Sequence, residues 1–313
     1  MITSIFSKSK PINFLIVFVI TALAFLTIKF KHIDAPVSSM FIFEQVMTFL
    51  GLYFSILVLN FIASKNDLTP KSNLEIVLFS FFLLLLPESL FSAKVIWANF
   101  FILLAVRRLM SLRTKKRVKA KLFDAAMLIG IAALFYFWAI LFFLLIPLIL
   151  LFHSDDNIKH WVIPFVGLMT LFILCVGASI VMHDSYFHFF KVNHAICLGL
   201  SVYNTLKYIV SSAIMLVFGL WSSFSYVSSI KMKTSGLRPG FKVVFAGMFV
   251  AVVIILISPN KNGSDFLFLF APLVIVIANY IELIKQKWIK EVFFSVLLIT
   301  PIVFLVLNFL SVS

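Results

Sequence analysis

Charge is scarce in this sequence. Only 12% of its 313 residues are Asp, Glu, Lys or Arg, against roughly a quarter in soluble globular chains. That excludes a water-soluble domain of this length. Acid is scarcer still, at 12 Asp and Glu against 26 Lys and Arg. Cysteine is nearly absent: Cys175 and Cys197 have no CxxC partner, which excludes a disulfide framework and a thiolate zinc site and leaves two free thiols. The long apolar runs lack polar–apolar alternation, which excludes a transmembrane β-barrel. No long repeat, low-complexity tract or linker divides the chain, so residues 1–313 read as one integral membrane domain.

What the sequence has in abundance is apolar length. It is 63% hydrophobic, with runs that match the ~20 residues needed to cross a ~30 Å hydrocarbon core. The expectation is an all-α, polytopic transmembrane bundle. The first apolar run, 12–28, follows Lys8 and Lys10. It exceeds a signal-peptide core and lacks a small-residue cleavage pattern, so it reads as an uncleaved span. Further single spans are expected at 41–63, 161–182, 208–230, 243–258, 266–284 and 292–310. Residues 74–106 would make a helix of roughly 50 Å, but "LPES" interrupts them, and proline disfavours helix in the residue before it. They divide into 74–86 and 90–106. Residues 123–152 are also too long for one span, yet no proline marks a break.

Charge decides that case. If 123–152 is a hairpin, 20 of the 26 Lys and Arg fall on the side of the N-terminus and 6 on the other; if it is a single span, the split is 15 to 11. The positive-inside rule prefers the first arrangement. The expectation is therefore eleven spans in an inner membrane, N-terminus in and C-terminus out, with two short-helix hairpins turning on the outer side. Segments below the usual spanning length point to a binding depression near their tips. The loop "RRLMSLRTKKRVKAK" (107–121) becomes cytoplasmic. It reads as a topology anchor that attracts anionic lipid head groups. No RNA-binding motif or aromatic interleaving accompanies it, so nucleic acid is not an expected partner.

The outer polar residues are the candidates for chemistry. Asp34, in the first external loop, is placed as a catalytic base, with a solvated turn acid as the plain alternative. Glu44 lies in the outer end of the second span, where a carboxylate is costly unless it serves a function or the helix dipole. Glu88 and Lys94 mark the outer turn of the first hairpin. In "HDSYFHFFKVNH" (183–194), Asp184, His188 and Lys191 fall at i, i+4 and i+7, the polar stripe of an interfacial amphipathic helix. Lys207 begins the next span. Elsewhere, "SNLE" (72–75) has the capping-box pattern, which makes Glu75 structural. Asp124 is expected to begin a helix, and Glu282 to pair with Lys285 or snorkel. Asp155 and Asp156 form only a weak carboxylate pair. No cofactor or metal set is indicated.

Two segments, "NDLTPKSNLEIVLFSFFLLLLPESLFSAKVIWANFFILLAVRRL" (66–109) and "KLFDAAMLIGIAALFYFWAILFFLLIPLILLF" (121–152), together with the opening "MITSIFSKSKPINF", resemble an uncharacterised family of Bacteroidota inner-membrane proteins. The layout is also loosely similar to C-type glycosyltransferases, which use lipid-phosphate sugar donors. That resemblance implies Asp34 as base and Lys94, Lys191 or Lys207 as the point charges holding a donor phosphate. The first loop here has no acidic pair. Two other classes are open. One is a non-enzymatic scaffold or transporter subunit. The other is a histidine-iron carotenoid oxygenase using the four outer histidines His32, His183, His188 and His194.

Overall fold

The computed structural model describes residues 6, 10–31, 38–69, 72–153, 157–190, 195–199, 201–259 and 261–310. Among them eleven α-helices follow in order, with no strand. They are α1 (Pro11–Lys31), α2 (Ser39–Lys65), α3 (Leu74–Leu85), α4 (Ala93–Met110), α5 (Val118–Phe135), α6 (Leu145–Phe152), α7 (Ile158–His183), α8 (Leu206–Met232), α9 (Arg238–Ile257), α10 (Leu267–Leu283) and α11 (Lys287–Leu310). Seven helical segments are long and apolar enough to cross a membrane: those of α1, α2, α4, α7, α8, α9 and α10.

The two hairpins form, for different reasons. After α3, Leu86 takes φ −134° and ψ 74° ahead of Pro87, and a 3-10 turn over Pro87–Leu90 redirects the chain into α4. Here the sequence favours the break, because proline disfavours the helical region for the residue before it and removes a backbone donor. Between α5 and α6 there is no proline. Tyr136 is extended at φ −146° and ψ 107° and is followed by a 3-10 helix over Phe137–Leu144. Helix α9 fixes the direction of the return arm. Tyr136 bonds to Ser258, just past the end of α9, while Phe152 lies 4.9 Å under the ammonium of Lys242 near its start. The arm 137–152 is therefore antiparallel to both α5 and α9.

The arm is long for its residue count. Eight residues of 3-10 helix rise ~2.0 Å each and eight of α-helix ~1.5 Å each, about 28 Å in all. That is close to the thickness of a hydrocarbon core. Both tips are well packed. Ser89, Leu90, Ser258, Ser264 and Asp265 at the two tips are all buried.

The bundle thus has two recognisable ends. A basic end carries Arg107 to Lys121, and a tip end carries Glu88 and Tyr136. Helix α10 is the centre, with 78% of its apolar window buried against α3, α8 and α9. Helix α7 is peripheral, only 11% buried, and packs on α5. Two glycines permit that approach. A Cβ added to Gly167 would stand 2.9 Å from the Phe123 carbonyl oxygen, and one added to Gly130 would stand 2.5 Å from the Leu171 side chain. Close backbone approach through small residues is the usual glue between helices in lipid, where apolar burial drives nothing.

Four local expectations are corrected. Asp184 does not start an amphipathic helix: it caps α7 in the left-handed region at φ 46°, and only His188–Phe190 form a short 3-10 turn. The capping box at 72–75 is absent, because Asn73 precedes α3 without a side-chain cap bond and the Ser72 hydroxyl donates to Glu282 instead. Asp124 lies in the second turn of α5 and pairs with Arg108 at 3.2 Å. Glu282 is bonded by Ser72 and faces the charges of Lys290 and Lys233 in place of Lys285.

Candidate functional site at the hairpin tips

Five parts of the chain meet at the tip end: the first hairpin turn, the Tyr136 break, the 3-10 turn Ser201–Tyr203, the start of α8, and residues 258–259 and 261–266 between α9 and α10. Lys207 Nζ stands 2.6 Å from Glu88 Oε1, and both side chains are about one-fifth exposed. One turn later the Ser211 hydroxyl donates to the Leu85 carbonyl at 3.1 Å, which fixes α8 against the end of α3. The Tyr208 hydroxyl donates to the Asn262 carbonyl at 3.1 Å.

Gly263 makes this meeting possible. Its φ of +83° suits glycine, and an added Cβ would lie 2.8 Å from the Tyr208 ring and 3.1 Å from Glu88 Cβ.

Behind the ion pair is a buried carboxylate. The Tyr136 hydroxyl donates to Ser258 Oγ at 2.7 Å, and Ser258 Oγ donates to Asp265 Oδ2 at 2.5 Å. Asp265 is fully buried, and its Oδ1 has no hydrogen-bond partner. Lys261 is the neighbouring cation. Its ammonium donates to the carbonyls of Ile255 and Leu256 at 2.7 and 2.8 Å and lies 5.9 Å from the Tyr203 ring centre. Burial pulls the Lys261 ammonium below the ordinary lysine range, while the charge of Asp265 acts in the other direction. Burial, then the charge of Asp265, pushes the Tyr203 phenol up. Tyr203 is therefore a hydrogen-bond donor at neutral pH, and its hydroxyl has no partner.

The arrangement offers two cations, two carboxylates and donor phenols in a low-dielectric setting where each is stronger than in water. Such a set can hold an anionic group and orient a proton acceptor beside it.

Of the residues singled out from sequence, Glu88 and Lys207 are brought into contact. Glu44 is exposed near the start of α2 and acts electrostatically on Lys29, whose ammonium reaches the Phe91 carbonyl at 3.5 Å. That places Glu44 near the same tip. Lys94 is exposed in the first turn of α4. Asp184 and His188 lie at the end of α7, where Ser179 Oγ accepts the His188 backbone N–H at 2.9 Å. Asp34 and Lys191 lie outside the described residues, as do His32, His194, Asp155 and Asp156.

His183 and His188 stack with ring centres 3.7 Å apart and planes 14° from parallel. Among the described residues no group of three His, Cys, Asp or Glu side chains could hold a metal ion. Asp265, Ser258 and Tyr136 belong to no sequence motif that marks them for chemistry. The cue was "NGSDF" (262–266), an acid placed directly before an apolar run.

The model of one protein family, DUF6427, described as a family of unknown function, matches residues 1–312. No curated protein and no solved structure matches the chain.

Proposed function

The chain belongs to the DUF6427 family of unknown function, and from that premise we propose that it is an inner-membrane protein acting on a lipid-linked, phosphate-bearing substrate at its tip end. In this reading it crosses the membrane eleven times, N-terminus in and C-terminus out, so the tips face outward and the 107–121 loop meets anionic lipid inside. The reaction class is glycosyl transfer in the manner of C-type glycosyltransferases. Lys207 and Lys261 hold the phosphate as point charges, and Asp34 or Glu44 serves as base. Lys94, Asp184, His188 and Lys191 are further outer-face groups in this reading.

The observation that carries the reading is the convergence of Glu88, Lys207, Lys261, Asp265, Tyr136 and Tyr203 where both hairpins turn.

A scaffold is the second reading. It is favoured by the fact that Glu88 already neutralises Lys207 and two carbonyls already hold Lys261. Such a cluster can serve as a clasp without any ligand.

One titration separates the two. Full-length protein in nanodiscs is mixed with a polyprenyl phosphate or with the same polyprenol lacking phosphate, and thermal unfolding is followed. The substrate reading expects the phosphate form alone to raise the midpoint, and Lys207→Met to abolish the rise. Equal shifts from both lipids, or none, favour the scaffold.

A further inference from the structure

We propose that Glu75 and Glu282 form an intramembrane proton-binding site at the basic end of the bundle, with the proton resident on Glu75. The site lies at the opposite end from the tip cluster and does not depend on the reading given there. Glu75 is fully buried in the first turn of α3, and neither of its carboxylate oxygens is held by a well-formed hydrogen bond, the Thr69 side chain and its own backbone N–H being the donors nearby. Glu282, in the last turn of α10, accepts from the Ser72 hydroxyl through Oε1, while its Oε2 is buried without a partner. Asn279 lies one turn earlier on the same face of α10. Its amide nitrogen donates to the Leu68 carbonyl at 2.8 Å, and its Oδ1 is also buried and unpartnered.

The charges around the pair assign the proton. Helices α1, α2, α10 and α11 pack on α3. The charged groups at their basic-end termini are Lys10, Lys65, Glu282, Lys287, Lys290 and Glu291. Of these, Glu282 acts on Glu75, with the Thr69 side chain as its polar neighbour. Lys290, together with Lys233 from the end of α8, acts on Glu282. The available positive charge therefore reaches Glu282 and not Glu75. A buried carboxylate facing another carboxylate, with no cation of its own, is relieved by taking up a proton.

The oxygen count favours a proton over a metal ion. Calcium asks for about six to eight oxygen ligands and magnesium for near-octahedral coordination, whereas four unpartnered side-chain oxygens are present here. A proton needs one.

Release of the proton would leave an uncompensated charge between α3 and α10. Loading of the site is therefore tied to the packing of the first hairpin arm. The proton leaves from a Glu75 oxygen to water at the basic end and returns by the same route.

Infrared spectroscopy of the full-length protein in nanodiscs tests this. Wild type should show a protonated-carboxyl C=O band at neutral pH that moves in D2O and moves again when the protein is made with isotope-labelled glutamate. The band should vanish in Glu75→Gln, persist in Glu282→Gln and fade as pH rises. Absence of the band at neutral pH overturns the proposal, as does a band insensitive to the glutamate label or surviving in Glu75→Gln. Loss of the band on adding sodium or calcium at constant pH would assign the site to a metal ion and overturn it equally. If Glu75→Gln does not fold, Glu75→Asp carries the assignment: its band should no longer move with the glutamate label, and a band that still moves overturns the proposal.

Discussion

Tyr136 and Ser258, 122 residues apart in sequence, are joined by a 2.7 Å hydrogen bond that ties the break in the second hairpin to the end of α9. The same tyrosine ring stacks on Phe268 of α10, with centroids 5.8 Å apart. Tyr136→Phe keeps the stack and removes the bond. The expected cost is about 1 kcal/mol, the ordinary net worth of a hydrogen bond, with a larger value if the Ser258–Asp265 pair loosens. Thermal or denaturant unfolding in detergent measures it.

Gly263 should tolerate no side chain. Gly263→Ala places a Cβ where the Tyr208 ring already stands and forces a positive φ on an L-residue. Left-handed backbone costs about 1 kcal/mol or more by itself, and the clash adds to it. Tyr208→Leu in the same background should recover part of the loss. An unchanged melting curve for the single variant would show that the tip is looser than described.

The ion pair Glu88–Lys207 calls for a double-mutant cycle. Each partner is about one-fifth exposed, so removing one leaves the other poorly hydrated. Glu88→Gln and Lys207→Met should each destabilise more than the double variant does, with a coupling of about 0.5–3 kcal/mol. Additive effects would mean that the pair is screened as a surface bridge is.

Helix α7 should detach when its glycine contact is filled. Gly167→Leu must push α7 away from Phe123 and Ala126, while α5 keeps its packing on α4. A cysteine pair placed across α5 and α7 should cross-link in the parent and fail to do so in Gly167→Leu. The native Cys175 and Cys197, both free and half-buried, are replaced first.

Threading is tested in the same cysteine-free background. Single cysteines at Lys116 and Phe187 should react with an impermeant maleimide from opposite sides of the membrane. Labelling from one side would overturn the hairpin reading of 123–152.

The hairpins show how much of this fold the sequence reveals. The first break has a local cue: Pro87 disfavours helix at Leu86, although Pro164, Pro272 and Pro301 are carried inside helices elsewhere in the same bundle. The second is tertiary. Nothing in "LFYFWAIL" stops a helix. Tyr136 is drawn out of it by Ser258 and Phe268, so only loop charge hinted at the reversal. The candidate site divides along the same line. Glu88 and Lys207 stood out as charges at span ends, and the structure pairs them. Asp265 did not stand out, because its burial and partners come from segments far apart in the chain. Periodicity placed Asp184 and His188 on one helical face, but Asp184 in the left-handed region ends the helix before that face can form. Glu75 matched a capping pattern. Its depth against α10, set by packing, gives it a different role.

The 3-10 arm over Phe137–Leu144 behaves as slack. Rewinding its eight residues to an α-helix would shorten the arm by about 4 Å without adding or removing a residue. A bilayer that thins near the bundle can therefore be met by local rewinding, with no charge dragged into lipid and no loop pulled through. Since Tyr136 anchors the far end of that arm to Ser258, the thickness of the surrounding membrane bears directly on the hydrogen bond that orders Asp265.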